Sequence, residues 1–161
     1  MSRSQQHRFH GDPERFSILA DFINDRFGRD IQYVADVAGG RGMLSRILSK
    51  RFNYESEVVD PRGYALKGVE TRQSEFDSSF ADYYDLIVGL HPDEETRCVA
   101  EGALVRPAIM IPCCNFWAEE KLGSKELVSS IESYYEDHGV NYERVVLPFK
   151  GPKNVAIVST P

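Results

Sequence analysis

The chain has 161 residues, is 42% hydrophobic and 27% charged, and carries a formal net charge of −6. That size and apolar content are enough to bury a core without cross-links, and they suit one domain spanning residues 1–161. No apolar run approaches the roughly 20 residues that cross a bilayer, and the polar start MSRSQQHRFHGD has no signal-peptide core, so a cytoplasmic protein with no membrane role is expected.

Of the three cysteines, Cys113 and Cys114 are neighbours, so no disulfide framework is expected. The charge is uneven. Residues 1–73 hold 12 Lys and Arg against 10 Asp and Glu, net +2, whereas residues 74–161 hold 7 against 15, net −8. A polyanion would therefore meet the first half, with Arg41, Arg46, Lys50 and Arg62, and be repelled by the second.

Residues 1–11 precede any element and are expected to be flexible. DPERFSILADFINDRFG then predicts a helix capped by Asp12, with Pro13 at its first position and Gly28 as its stop. Phe16, Leu19, Ala20, Ile23 and Phe27 form its apolar stripe. IQYVADV suits a buried strand, AGGRG a turn, and MLSRILSKRF a second amphipathic helix. SEVVD reads as a strand ending in an acid, YALKG as a short helical turn, VETRQSEF as another strand and YDLIVGL as a strong one. DEETRCVAEGALV reads as a helix capped by Asp93, PAIMIPCC as a buried strand, and SKELVSSIESYYEDHG as a helix from Ser124 to a stop at Gly139. Its Tyr134 and Tyr135 join Leu127 and Ile131 on the apolar side.

Strands alternating with helices predict an α/β fold, a parallel sheet between two helical layers. The end breaks the rhythm, because only KGPK separates YERVVLPF from NVAIVST. That is too short for a crossover helix and predicts a closing antiparallel hairpin.

In such sheets ligands bind beyond the carboxyl ends of the strands, where Ala38, Gly39, Gly40 and Gly42 fall. Glycine permits sharp bends and close backbone approach. Asp36 beside the loop would repel a pyrophosphate but suits a ligand with ammonium and sulfonium charges. Asp60 ends the next strand, where an acid accepts bonds from both hydroxyls of a ribose.

The pattern D-x-A-G-G-R-G at Asp36 to Gly42, followed by Asp60, resembles the first two motifs of class I S-adenosylmethionine-dependent methyltransferases. The resemblance implies a Rossmann-like three-layer sandwich whose mostly parallel seven-stranded sheet closes with the C-terminal hairpin, and it implies S-adenosylmethionine as cofactor. Ala38 departs from the family's usual first glycine. DVAGGRGMLSRIL, GLHPDEET and IPCCNFW together are similar to a branch that includes tRNA ribose methyltransferases, with Arg41 in place of a lysine and Asn115 in place of a histidine.

Methyl transfer needs positioning and, for a hydroxyl or amine acceptor, a proton acceptor. His91, after the fourth strand, is the candidate base and Asn115, after the fifth, the candidate for orienting the acceptor; Phe116 or Trp117 would stack on a planar one. Phe76 and Asp77, after the third strand, are candidates for flanking adenine and reaching its amine. Cys113 and Cys114 read as small buried hydrophobes. No metal is expected, since Cys98, Cys113, Cys114 and His91 have no familiar zinc spacing. The acceptor is unknown: RNA leads, then protein or a small molecule, and the partner is RNA or a protein. Two other readings stay open, an NAD(P)-binding oxidoreductase and a non-catalytic module that binds cofactor and serves a partner protein.

Overall fold

The computed structural model describes residues 12–151 and 153–161; residues 1–11, expected to be flexible, lie outside them. The strands are β1 (Tyr33–Val37), β2 (Glu55–Val59), β3 (Thr71–Arg72), β4 (Leu86–Leu90), β5 (Ala108–Ile111), β6 (Asn141–Val146) and β7 (Val155–Thr160). The helices are α1 (Arg15–Phe27), α2 (Met43–Phe52), α3 (Thr96–Gly102) and α4 (Ser124–Asp137). All seven strands form one sheet in the order β3-β2-β1-β4-β5-β7-β6. β1 to β5 pair in parallel, and β7 runs antiparallel to both β5 and β6. The expected α/β fold and closing hairpin are both present. Among the described residues no helix is long and apolar enough to cross a membrane.

The sheet separates two cores, and the two-residue period of β1 shows how. Val34 packs beneath α1 and α2 with Leu19, Ile23, Leu44 and Leu48. Ala35 and Val37 face the other way, toward α3 and α4 with Val99, Leu127, Ile131 and Tyr135. Asp36 therefore shares the α2 face with Val34, and its carboxylate accepts a hydrogen bond from Ser45 Oγ of α2 at 2.8 Å. In β2, Ser56 meets Ser45 at 2.8 Å on that face while Val59 joins the opposite core. Continuing the alternation brings Asp60 to the α2 side, one strand from Asp36.

Several elements differ from expectation. α1 begins at Arg15 rather than Pro13 and its N-cap is Glu14, not Asp12; just ahead of the helix, Asp12 accepts from the Glu14 N–H at 2.9 Å. Its second oxygen accepts from the Lys150 N–H at 2.9 Å, tying this entry to the hairpin loop. YALKG forms turns without a helix, so the β2 to β3 connection carries no covering helix. The strand expected over VETRQSEF shrinks to two residues. Val69, just before it, packs 2.7 Å from where a Gly42 Cβ would stand, and this anchors the segment to the loop instead of extending the ladder. A six-residue 3₁₀ helix at Ser78–Tyr83 was not foreseen. Asp93, with a φ of +50°, does not cap α3: the 3₁₀ turn Asp93–Glu95 precedes that helix, whose N-cap is Glu95. β5 stops at Ile111, ahead of Pro112, which has no N–H to continue pairing.

Candidate functional site

At the carboxyl ends of β1, β4 and β5 lies a cleft of about 490 Å³, lined by Asp36, Ala38, Gly39, Gly40, Arg41, Leu90, His91, Asp93, Cys113, Cys114 and Lys153, with Arg15 and Phe16 of α1. A larger hollow of about 780 Å³ lies at the sheet edge left open by the missing β2 to β3 helix, among Lys50, Asn53, Glu55 and Glu70. It sits beside the amino end of β2, the wrong end for a ligand of this architecture.

Ala38 has φ +54°, Gly40 +58° and Gly42 +81°. This succession folds the loop back, with the Gly42 N–H bonded to the Gly39 carbonyl at 2.9 Å. Gly42 cannot be anything larger, because a Cβ there would also lie 2.9 Å from Val58. A Cβ on Gly39 would stand 2.6 Å from the Asp36 carboxyl carbon, so this acid rests against bare backbone. Asp36 is 2% exposed, and burial pushes its pKa up to about 6 against the opposing bond from Ser45. A carboxylate desolvated beside an open cleft gains from a cation placed next to it.

Asp60 is 1% exposed and accepts from the Gly40 N–H at 3.0 Å, which locks β2 to the loop. Burial alone would raise it, but bonds from Arg62 and Gly40 override burial and hold its pKa below the usual carboxylate range. The Arg62 guanidinium lies 2.7 Å from Asp60 Oδ2 and covers it. Sequence reasoning placed Arg62 only on a basic face open to polyanions and gave no role to Lys153, since single basic residues in loops carry no pattern.

Among the described residues, three of the four non-glycine residues with positive φ are Ala38, His91 (+51°) and Asp93, and all three line this cleft. Such strain costs on the order of 1–3 kcal/mol per residue and gathers at functional sites. His91 contacts the Lys153 carbonyl through Nε2 at 2.9 Å. A carbonyl only accepts, so Nε2 carries the proton and Nδ1 is the basic nitrogen. Burial lowers the His91 pKa, which keeps the ring neutral near pH 7.

Other expected site residues stand apart. Asn115 spends its amide on its own loop, accepting from the Trp117 and Ala118 N–H groups and donating to the Ala118 and Glu120 carbonyls. Nothing of the side chain is left to orient an acceptor. Trp117 has its ring face covered by Arg97, 3.8 Å from the centroid, whereas Phe116 is exposed. Phe76 is 1% exposed and packs in the α3 and α4 core against Tyr84. Asp77 caps the helical turn at Ser78–Tyr83, accepting from the Ser79 N–H. Neither residue lines the cleft. Cys113 is half-buried and Cys114 exposed, so the pair is not the buried filler expected; Tyr135 is in the core, as expected. Near the end of β3, Ser74 Oγ and Glu95 Oε2 are buried without hydrogen-bond partners among the described residues. Burial raises the Glu95 pKa, with Cys98, Glu75 and the Phe76 backbone close by.

The donor set fits S-adenosylmethionine. Asp36 offers charge for a cationic centre, Asp60 a diol acceptor once Arg62 moves, and the glycine loop bare backbone between them.

No protein-family model and no curated protein matches the chain. Solved structures do. A methyltransferase dependent on S-adenosylmethionine from Aquifex aeolicus is 22% identical, with TM-score 0.56 over 92% of this chain and 93% of its own. A sugar N-methyltransferase from Streptoalloteichus is 12% identical, with TM-score 0.58 over 99% and 97%. The methyltransferase domain of bacterial CtHen1 is 14% identical, with TM-score 0.62 over 92% and 98%. At these identities the likeness establishes architecture, and together with the strand order it establishes that this chain has the Rossmann-like fold of class I methyltransferases.

Proposed function

We propose that the chain binds S-adenosylmethionine at the loop from Asp36 to Gly42 and catalyses methyl transfer. The observation that carries this reading is the pair of buried acids, Asp36 and Asp60, on one sheet face at the ends of adjacent strands, with the Gly40 N–H bonded to the second. Bound there, the cofactor supplies a methyl carbon already activated for displacement. Asp36 provides a desolvated negative charge, Asp60 accepts the ribose hydroxyls, and neutral His91 takes the acceptor's proton at Nδ1. The same buried carboxylate beside the loop disfavours a dinucleotide pyrophosphate.

Arg41 and Lys153 line the cleft and suit an anionic acceptor, and RNA is our reading of it. Calorimetric titration with S-adenosylmethionine and its demethylated product tests the proposal. Micromolar binding, lost in Asp36→Ala and in Asp60→Ala, is expected; heat from NAD alone would sink it.

A non-catalytic module is the second reading, favoured by one observation: Arg62 already occupies the Asp60 carboxylate. Cofactor binding without turnover on any acceptor until a partner protein is added would support it.

A further inference from the structure

The turns after β4 and β5 meet at the wall of the cleft opposite the glycine loop. There one oxygen of Asp93, Cys113 Sγ and Cys114 Sγ lie within 4.8 Å of one another. The two sulfurs are 3.4 Å apart, and Lys153 Nζ lies 3.4 Å from the first and 3.8 Å from the second. We propose that Asp93, Cys113 and Cys114 form a binding site for a thiophilic d10 metal ion of the zinc class, with a fourth coordination position open to the cleft.

The dimensions suit such an ion. Zinc–sulfur bonds of about 2.3 Å in a tetrahedron set neighbouring sulfurs about 3.8 Å apart, so the thiols need separate by only a few tenths of an ångström. The donor set is also selective, because two thiolates with one carboxylate favour zinc or cadmium over the hard cations magnesium and calcium.

Charge explains the lysine. Two thiolates and a carboxylate carry −3, a divalent ion leaves −1, and the Lys153 ammonium cancels it from outside the coordination shell. The backbone places the third ligand. Asp93 has a left-handed φ, Thr96 Oγ1 bonds to its carbonyl, and no hydrogen bond to its carboxylate occurs among the described residues. A helix-capping role would have used that side chain; here it stands exposed beside the thiols.

The inference does not depend on the cofactor reading. The experiment is titration of the reduced, metal-free full chain with Cd²⁺, following the ultraviolet sulfur-to-cadmium charge-transfer band, with stoichiometry from native mass spectrometry and competition by Zn²⁺. One ion per chain is expected, with a band that Zn²⁺ displaces. Cys113→Ser and Cys114→Ser should each abolish the band. Asp93→Asn should weaken binding about tenfold or more. Cys98→Ser, in α3 away from the cluster, should change nothing. Overlapping thermal unfolding of the metal-free variants and the parent excludes misfolding as the cause. Absence of the band, its survival in Asp93→Asn at full affinity, or one ion bridging two chains through the exposed Cys114 would each overturn the proposal.

Discussion

The Arg62 guanidinium lies across the Asp60 carboxylate, donating through Nε and Nη2 at 2.9 and 2.7 Å, while the Arg62 backbone N–H donates to the same acid at 2.9 Å. With the Gly40 N–H also bonded to it, Asp60 has little accepting capacity left for a ribose. Arg62 is half exposed, so swinging it into solvent breaks no core contact. Cofactor binding must displace this guanidinium, and Arg62→Ala should tighten S-adenosylmethionine binding several-fold, whereas Asp60→Ala should abolish it. Weaker binding in Arg62→Ala would mean that the guanidinium contacts the cofactor itself.

Asp36 makes binding depend on pH. Burial raises its pKa from 3.8 to about 6. The folded chain thus holds the proton more tightly than the unfolded chain, and stability falls as pH rises through this window, with the loss complete above about 6. The loss is on the order of 3 kcal/mol. A cation beside Asp36 draws the pKa back down, so binding near pH 6 releases a proton. Calorimetry in two buffers of different ionisation enthalpy should detect it, and affinity should fall between about pH 8 and about pH 5. Asp36→Asn should remove the proton release, weaken binding and raise the melting temperature of the free protein at neutral pH.

Ala38 and Gly42 both have positive φ, but only one of them is crowded. At Ala38 the left-handed backbone costs on the order of 1 kcal/mol, which glycine would relieve while adding flexibility to the unfolded chain. Ala38→Gly should therefore leave the melting temperature nearly unchanged and cofactor affinity equal or better. Gly42→Ala adds a methyl group 2.7 Å from Val69 and 2.9 Å from Val58 at φ +81°, so it should destabilise by on the order of 3 kcal/mol and abolish binding. Chemical denaturation of the two variants side by side checks the contrast.

Much of this architecture was legible because it rests on local pattern. Strand, glycine turn and amphipathic helix follow one another within twenty residues, and the KGPK spacing announces the hairpin. Asp36 and Asp60 were readable as strand-end acids. What failed depends on tertiary placement: Phe76 follows the third strand as expected, yet the shortened β3 turns it into the core, and Asp77 is taken up by a helical turn that no periodicity signals. The juxtaposition of Asp93 with Cys113 and Cys114 spans twenty residues and two strand ends. A left-handed aspartate brings it about, where sequence suggests an ordinary helix cap.

His91 and Asn115, paired in sequence reasoning as catalytic, are separated by their hydrogen bonds. Asn115→Ala would strand the Trp117 and Ala118 N–H groups and two carbonyls, and it should cost about 1–3 kcal/mol of stability while leaving cofactor affinity unchanged. His91→Gln should keep cofactor affinity within a few-fold and lower turnover by about 10²–10⁴ once an acceptor is in hand. One readout needs no acceptor. Burial lowers the His91 pKa, with Arg15 and Lys153 also disfavouring the imidazolium against the Lys153 carbonyl and Asp93. Proton NMR titration should find its ring titrating below 6.5, and removing the charge in Asp93→Asn should lower that value further. A value above about 7 would mean that the imidazolium predominates at neutral pH, a form that cannot serve as the base.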